Sequence, residues 1–325
     1  VIGELGLDGS VRAVRGIIGK LLTGKQHGIN RFFIPAANLD QAGLIPNISV
    51  LPVGSLSDLY NHLAQQTPIT PVDTINGHTP AHQQTKNELK FSDVVGQSRA
   101  KRALLIAAAG GHNVLLNGPP GTGKSMLAKA LPSIMPPLTQ DEMLEITQIH
   151  SLTSNNYEQI ITTRPFRAPH HTASHVAVTG GGSSLRPGEI SLAHHGVLLF
   201  DEFPEFGRAT IEALRQPLED RFVTISRAKD TATFPARFIL VATANPCPCG
   251  HFQTSKPCIC PAHRIRQYRL KLSGPILDRI DLHVDVEEID HARLLSPTTE
   301  NDDTLRQQVQ RARLKQAARY RSKTK

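Results

Sequence analysis

The sequence contains no tryptophan, only four cysteines and no apolar run as long as a membrane span. A helix that crosses a bilayer needs about 20 consecutive apolar residues, so these residues exclude such a span. Hydrophobic residues make up 39% of the 325 positions and aromatic residues 5%, which is typical of a soluble α/β protein. There is no signal peptide, and the chain begins at Val1, not methionine. We therefore expect a cytoplasmic protein of which this chain is a fragment.

The net charge of +8 is concentrated at one end of the chain. Residues 304–325 contain eight basic residues and no acidic one, so this segment carries the whole excess. A basic helix is as often a solvated face as a phosphate-binding arm. The charge alone is therefore weak evidence for nucleic-acid binding.

A glycine-rich run fits the phosphate-binding pattern G-x-x-x-x-G-K-[ST]. The run consists of Gly118, Pro119, Pro120, Gly121, Thr122, Gly123, Lys124 and Ser125. A short apolar strand precedes it and helical spacing follows it, which is the context that makes this pattern a phosphate site and disfavours a chance glycine-rich loop. Lys124 is expected to reach the β- and γ-phosphates, and the Ser125 hydroxyl to bind Mg²⁺.

Two later apolar strands end in polar residues. The run 196–200 leads into Asp201 and Glu202, and the run 238–242 leads towards Asn245. Ligands bind at the carboxyl ends of the strands in an open parallel sheet. We expect Asp201 to hold Mg²⁺, Glu202 to polarise the attacking water, and Asn245 to contact the γ-phosphate or the water.

The segments between and after these motifs are less regular. Residues 150–195 have no core period. The irregular spacing of His170, His171, His175, His194 and His195 favours structural or nucleic-acid-facing roles over a metal site. Residues 221–231 predict a β-hairpin with a basic tip. Arg279 follows a short helix, and an ordinary interpretation of it is an ion pair with Asp278 or Asp281.

The four cysteines lie close together in the sequence as two C-x-C pairs, Cys247 with Cys249 and Cys258 with Cys260. Four converging thiolates suit a tetrahedral zinc site. In a reducing cytoplasm we expect zinc here in preference to disulfides, with four unliganded thiols as the alternative.

The front of the chain resembles the C-terminal part of the Lon-protease-like, ribosomal S5-like domain. The matching segments are GELGLDGSVRAVRGIIGKLL and HGINRFFIPAAN. Peptidases of this type use a lysine base, and the alignment puts Ile18 at that position. An isoleucine cannot activate a serine, so we predict no protease activity. Residues 1–66 are assigned to this partial domain and the polar, proline-containing residues 67–90 to a linker.

The remaining motifs resemble AAA+ ATPases of the magnesium-chelatase-like branch, in its ComM/YifB subfamily. The runs that carry the resemblance are RPFRAPHHTASH, RPGEISLAHHGVLLFDEFPEF, LRQPLEDRFVTISRA, FPARFILVATANPCPCG and LSGPILDRIDLHV. The resemblance implies an α/β fold in which residues 91–290 form a P-loop core, a parallel sheet flanked by helices. Residues 291–325 would be a basic helical approach to a lid domain that is truncated.

The resemblance also implies roles for individual residues. The glycine-rich run becomes Walker A, the Asp-Glu pair Walker B and Asn245 sensor 1, with ATP and Mg²⁺ as ligands. Arg279 becomes an arginine finger that acts on the neighbouring subunit's ATP. Arg227 and Lys229 at the hairpin tip are expected to contact DNA phosphates in the pore of a hexameric ring.

The function implied is a DNA motor that drives branch migration during natural transformation. A magnesium-chelatase motor that remodels partner subunits shares the same ATPase motifs and stays open as an alternative. A non-hydrolysing adaptor that uses ATP as a structural ligand is a third interpretation, against which the presence of Glu202 and Arg279 argues.

Overall fold

A computed structural model describes residues 1–74, 89–153, 157–182, 185–227, 230–254, 256–272, 274–288 and 301–321. Among these, the residues within 1–84 and 138–163 form one compact unit, and those within 85–137 and 164–325 form a second. The described helices include none that is both long and apolar enough to cross a membrane.

The regular elements are mostly short. The strands are β1 (Glu4–Leu5), β2 (Val11–Arg12), β3 (Arg31–Pro35), β4 (Ser49–Val53), β5 (Val72–Asp73), β6 (Val114–Asn117), β7 (Phe166–Arg167), β8 (Gly180–Gly181), β9 (Arg186–Pro187), β10 (Val197–Phe200), β11 (Phe222–Ser226), β12 (Thr231–Pro235), β13 (Ile239–Ala244) and β14 (Leu282–Asp285). The helices are α1 (Ile17–Gln26), α2 (Leu39–Gly43), α3 (Leu56–Leu63), α4 (Ser98–Gly110), α5 (Lys124–Ala130), α6 (Gln140–His150), α7 (His175–Thr179), α8 (Glu189–Leu192), α9 (Arg208–Ala213), α10 (Arg215–Asp220), α11 (Ala262–Leu270), α12 (Gly274–Leu277) and α13 (Asp302–Arg321).

The first unit packs helices against a small mixed sheet. β4 lies between β3, with which it is parallel, and β5, with which it is antiparallel. Ile17, Ile18 and Leu21 of α1 are fully buried in its apolar core. Ile18, which the sequence resemblance aligns with a peptidase lysine, is therefore a core residue in this chain.

Helix α6 belongs to this first unit although it follows the phosphate-binding run in sequence. Its Gln140 side chain donates to the carbonyl oxygen of Leu44 at 3.1 Å, and Leu144 packs on the core beside α1. The sequence offers no local signal for these partners about a hundred residues earlier. The predicted domain boundaries stay a prediction.

The second unit is built on a five-stranded parallel sheet in the order β14-β6-β13-β10-β7. Both faces of the sheet are buried: Val114 and Leu116 of β6 face one apolar cluster, and Leu115 faces the other. Burial on both faces explains why these strands are continuous apolar runs in the sequence. The predicted α/β fold with a parallel sheet flanked by helices is confirmed.

The basic helix α13 forms hydrogen bonds with other parts of the second unit at its first residue and near its middle. Both carboxylate oxygens of Asp302, its first residue, accept hydrogen bonds from the backbone N–H groups of Phe91 and Ser92, each at 2.8 Å. Farther along, the Arg313 guanidinium donates to the carbonyl oxygen of Ala108 at 2.7 and 2.9 Å. Part of the positive charge of this helix is thus used within the fold.

Candidate nucleotide-binding site

Three neighbouring strands of the parallel sheet end beside the polar residues predicted from the sequence. Gly118 follows β6, Asp201 follows β10, and Asn245 follows β13. β6 has β14 on one side and β13 on the other, so the strand order reverses around it. The carboxyl ends of strands at such a point are where open α/β sheets bind ligands.

The phosphate-binding loop (Gly118–Ser125) has a backbone that requires its glycines. Gly121 and Gly123 have φ angles of +81° and +85°, in the left-handed region that other residues rarely adopt. A Cβ atom on Gly118 would lie 2.2 Å from the backbone oxygen of Val286. Two glycines are therefore required by conformation and one by space.

Lys124 begins helix α5, and its side chain folds back into the loop. Its Nζ donates to the carbonyl oxygens of Gly118 and Pro119 at 2.6 and 2.7 Å, and to Oδ1 of Asn245 at 3.2 Å. Charged phosphate oxygens are stronger partners for an ammonium group than neutral oxygens are. The ammonium group thus lies where a phosphate held by the loop would attract it.

Burial lowers the pKa of Lys124 to about 8, and the negative charges of Asp201 and Glu202 oppose this shift. At pH 7 the side chain is still mainly an ammonium ion. Binding of a triphosphate would favour the charged form further.

Asp201 is held by hydroxyl groups from two sides. Ser125 Oγ donates to the two carboxylate oxygens at 2.9 and 2.8 Å, and Thr243 Oγ1 donates to Oδ1 at 2.6 Å. The Thr243 hydroxyl also accepts the backbone N–H of Glu202 at 2.9 Å. Thr243, which the sequence reasoning missed, therefore links both acidic residues to the next strand.

Glu202 stands at a backbone turn, with a φ angle of +54°. Its Oε2 lies 3.9 Å from Nδ1 of His171, whose ring also meets Phe206 at a centroid distance of 6.4 Å. His171 comes from the irregular stretch 150–195. The motif sequence alone gave no signal that this histidine faces the carboxylate.

Two further side chains, which the sequence did not indicate, form hydrogen bonds with backbone segments of the site. Gln97 donates through Nε2 to the carbonyl oxygens of Thr122 and Glu287 at 3.2 and 2.7 Å. Tyr268 on α11 is buried, and burial raises its pKa to about 12, against a hydrogen bond with the backbone of Asn245. Both residues fix backbone segments that carry predicted ligands.

Arg279 is half-buried, and the side-chain contacts described for it are with residues outside the phosphate-binding loop. Its guanidinium donates to the carbonyl oxygen of Pro275 at 2.6 Å and forms an ion pair with Glu219. The sequence suggested Asp278 or Asp281 as ionic partners. Asp281 instead accepts the backbone N–H of Asn113 at 2.7 Å, so the partner is a residue from α10 that sequence proximity could not indicate.

The predicted hairpin is present as the antiparallel pair β11–β12. Arg227 lies exposed at its tip, where its backbone N–H donates to the carbonyl oxygen of Asp230 at 2.8 Å. Lys229, the other residue expected to contact DNA, lies outside the described residues.

The four cysteines converge at the end of β13. Sγ of Cys247 lies 3.4 Å from that of Cys249 and 3.7 Å from that of Cys258, which is 3.6 Å from Cys249. With Cys260, all four sulfurs lie within 4.8 Å of one another. Tetrahedral Zn²⁺ with Zn–S bonds of about 2.3 Å places its sulfurs about 3.8 Å apart. The sulfur positions therefore fit such a site without large rearrangement.

One of these thiols is favoured as a thiolate, whereas burial and hydrogen bonds with the neighbouring cysteines raise the pKa values of Cys258 and Cys260. Hydrogen bonds from the backbone N–H groups of His251 and Ile259 lower the pKa of Cys249 to about 6. Thiolates are the form of cysteine that binds metal ions.

The sequence as a whole matches known proteins over nearly its full length. A family model described as magnesium chelatase, subunit ChlI, matches residues 90–294. The competence protein ComM of Haemophilus influenzae is 43% identical over 290 residues, which cover 88% of this chain and 56% of ComM. YifB of Escherichia coli is 40% identical over 326 residues, covering 98% of this chain and 62% of YifB.

An uncharacterized protein of Mycobacterium tuberculosis is 43% identical over 324 residues, covering 99% of this chain and 63% of that protein. The chain thus spans less than two thirds of the length of these relatives. Its sheet order, phosphate-binding loop and acidic strand end agree with the family match. The chain therefore belongs to the magnesium-chelatase-like AAA+ family of ATP-binding proteins and is similar to ComM and YifB over most of its length.

Proposed function

We propose that this chain is the ATP-hydrolysing part of a hexameric, ring-shaped motor that acts on DNA in the cytoplasm and drives branch migration. The observation that carries the proposal is two hydrogen-bonded pairs at the ends of neighbouring strands. Lys124 donates to Asn245 at 3.2 Å, and Ser125 donates to Asp201 at 2.8 and 2.9 Å. These are the side-chain types that phosphoryl transfer to water requires.

In the proposed reaction, water attacks the γ-phosphorus in line with the bond that breaks, giving ADP and inorganic phosphate. Glu202 accepts a hydrogen bond from the attacking water and orients it. Lys124 stabilises charge on the phosphate oxygens. Asn245, which contacts Lys124, hydrogen-bonds to the γ-phosphate or to the attacking water.

Ser125 and Asp201 would hold Mg²⁺, which would supply positive charge to stabilise the negative charge that develops on the phosphate oxygens. The donor set fits this ion because hydroxyl and carboxylate oxygens are the ligands that Mg²⁺ prefers. The two side chains are already adjacent, with Ser125 Oγ 2.8 Å from Oδ2 of Asp201.

We assign Arg279 to the ATP site of a neighbouring subunit. Within its own chain it contacts Glu219, whose side chain is 62% exposed, and the Pro275 carbonyl. An arginine supplied from outside a site can accelerate phosphoryl transfer by about 10³–10⁵. This role requires an oligomer, and a ring is the assembly in which every site receives one arginine.

DNA is proposed as the substrate on two grounds. The first ground is similarity to a protein named for competence, since ComM is 43% identical to this chain over 290 residues. The second ground is that Arg227 is exposed at the tip of a hairpin of two antiparallel strands. Such a contact to phosphates would position DNA without reading its sequence. The same role is proposed for Lys229.

We also propose that Cys247, Cys249, Cys258 and Cys260 hold Zn²⁺. This proposal is supported by the agreement between the sulfur separations in the structure and those of a tetrahedral thiolate site.

A chelatase-type motor that remodels partner subunits is the second candidate, favoured by the description of the matching family model. A non-hydrolysing ATP-binding adaptor is the third candidate.

The decisive experiment measures unwinding of fork DNA by the full-length protein with and without ATP. ATP-dependent unwinding supports the DNA motor. DNA binding that is absent or insensitive to salt, with ATP hydrolysis intact, favours the chelatase-type motor. ATP binding without hydrolysis favours the adaptor.

A further inference from the structure

The cysteine loop (residues 247–260) begins two positions after Asn245, at the end of the strand that borders the phosphate-binding loop. Cys247 is fully buried there, and its sulfur accepts the backbone N–H of Phe252 at 3.2 Å. A residue that ligates a metal at this point would also fix the end of β13.

The cysteine loop packs directly against the phosphate-binding loop. Gly250 has a φ angle of +82°, and a Cβ atom added to it would lie 2.5 Å from Cδ and 3.0 Å from Cγ of Pro120. Gly250 is itself held by a turn, in which its N–H donates to the Cys247 carbonyl oxygen at 2.9 Å. The backbone at Gly250, between Cys249 and Cys258, therefore packs against Pro120.

The other side of the cysteine loop is tied to helix α11, which begins two residues after Cys260. Arg269 lies over the ring of Phe252, 5.0 Å from its centroid. Tyr268, the residue before it, is buried and hydrogen-bonds to the backbone of Asn245. The loop thus connects the Asn245 strand end, the phosphate-binding loop and α11.

From these contacts we infer that a thiolate-bound metal ion in the cysteine loop braces the phosphate-binding loop, so that metal occupancy sets nucleotide affinity. The inference rests on the proposed nucleotide and zinc sites and deepens both. With four thiolates joined to one ion, Gly250 and Asn245 keep fixed positions relative to Pro120 and Lys124. Without the ion, the cysteine loop is a polar segment with one buried sulfur, and only a few weak contacts keep Gly250 against Pro120.

The test measures the affinity of the protein for a fluorescent ATP analogue under reducing conditions, first with zinc bound, then after chelation, and again after zinc is restored. We expect one zinc ion per chain, and an affinity loss of at least about fivefold on chelation that zinc reverses, the low end of the usual range for coupled sites. Circular dichroism in parallel shows whether the fold survives chelation.

Three variants separate the brace from a general effect on folding. Pro120→Ala removes the ring that meets Gly250, and its nucleotide affinity should respond less to chelation while its zinc content stays normal. Cys258→Ser should lose zinc and show the weak affinity of the chelated protein. Lys256→Ala, at an exposed position of the same loop, should match the unaltered protein in zinc content and affinity.

The outcomes distinguish the possible failures. No nucleotide binding even with zinc present overturns the proposed function. Equal nucleotide affinity with and without zinc leaves that function standing and overturns the brace. A chain that neither contains zinc nor takes it up, or whose cysteines are disulfide-bonded when active, overturns the metal site. Chelation that weakens Pro120→Ala as much as the unaltered protein overturns the contact through Pro120.

Discussion

The hydroxyl of Thr243 donates a 2.6 Å hydrogen bond to Oδ1 of Asp201, across the carboxyl ends of two neighbouring parallel strands. The same hydroxyl accepts the backbone N–H of Glu202. Thr243, for which we propose no direct role in the reaction, thereby orients the two acidic residues for which we propose one. Thr243 is 1% exposed, so water cannot replace its hydrogen bonds.

Replacing Thr243 with valine keeps the shape of the side chain and removes the hydroxyl. We expect a loss of about 1.5–3 kcal/mol in the free energy of unfolding, the usual value of a hydrogen bond to a charged group. ATP hydrolysis should fall, and more Mg²⁺ should be needed for half-maximal rate, because Asp201 is less well oriented. Thr243→Ser keeps the hydroxyl and serves as the control. Equal Mg²⁺ dependence in both variants would contradict this role.

Lys124→Ala should abolish measurable nucleotide binding. Lys129 is an exposed lysine on the same helix, and Lys129→Ala should leave binding unchanged.

In the unaltered protein the affinity for nucleotide should also depend on pH. Because the free pKa of Lys124 is about 8 and a bound triphosphate favours the ammonium form, affinity is highest below pH 8 and declines as the pH rises above it. Titration of the fluorescent analogue from pH 6.5 to 9.5 measures this. An affinity that rises through that range would refute the assignment.

Arg279→Ala should leave nucleotide binding intact and reduce hydrolysis by about 10³-fold or more, if the guanidinium acts on the next subunit's ATP. Mixing inactive Arg279→Ala subunits with inactive Lys124→Ala subunits tests this directly. Some mixed interfaces then combine a complete phosphate-binding loop with an intact arginine, and activity should return. Glu219→Gln, which removes only the in-chain ionic partner, is the control and should remain active. No recovery in mixtures that assemble would place the arginine in a structural role.

Asp302→Asn should destabilise the second unit. Burial acts to raise the pKa of Asp302, but hydrogen bonds from Ser133 and from the backbone N–H groups of Phe91 and Ser92 outweigh it and hold the pKa below its usual value. The stabilisation is therefore complete above the unfolded pKa of about 3.9 and is lost as the pH falls through the lower folded value.

Denaturation by urea at pH 7 and at decreasing pH measures this effect. We expect a loss of about 1–3 kcal/mol at pH 7 for Asp302→Asn, shrinking towards acid pH. Asp303→Asn is the matched control: its carboxylate is 75% exposed and pairs with Arg306, so its removal should cost less than about 1 kcal/mol. Similar losses for both variants at pH 7 would show that the capping bonds of Asp302 contribute little.

The sequence predicted the parts of this protein that depend on local pattern. A glycine-rich turn between an apolar strand and a helix has few structural alternatives, and strands buried on both faces are recognisable as continuous apolar runs. The proximity of Lys124 and Asn245 followed from parallel strands ending at one edge. The catalytic roles of these residues remain proposals.

Contacts between residues distant in sequence could not be predicted in the same way. Nothing in the motif around Glu202 indicates His171, and a threonine inside an apolar strand such as Thr243 looks like an ordinary β-former. The partner of Arg279 was sought among its sequence neighbours, whereas tertiary packing supplies Glu219 from another helix. Helix α6 joins the first unit through partners that no periodicity encodes.

The central claim is that Glu202 orients the water that cleaves ATP. The most direct measurement compares ATP binding and ATP turnover of the full-length protein with those of its Glu202→Gln variant, which preserves shape and removes the charge. We predict unchanged ATP affinity and turnover reduced by at least about 10²-fold, the lower range for loss of a general base. Turnover by Glu202→Gln at the rate of the unaltered protein would contradict the account.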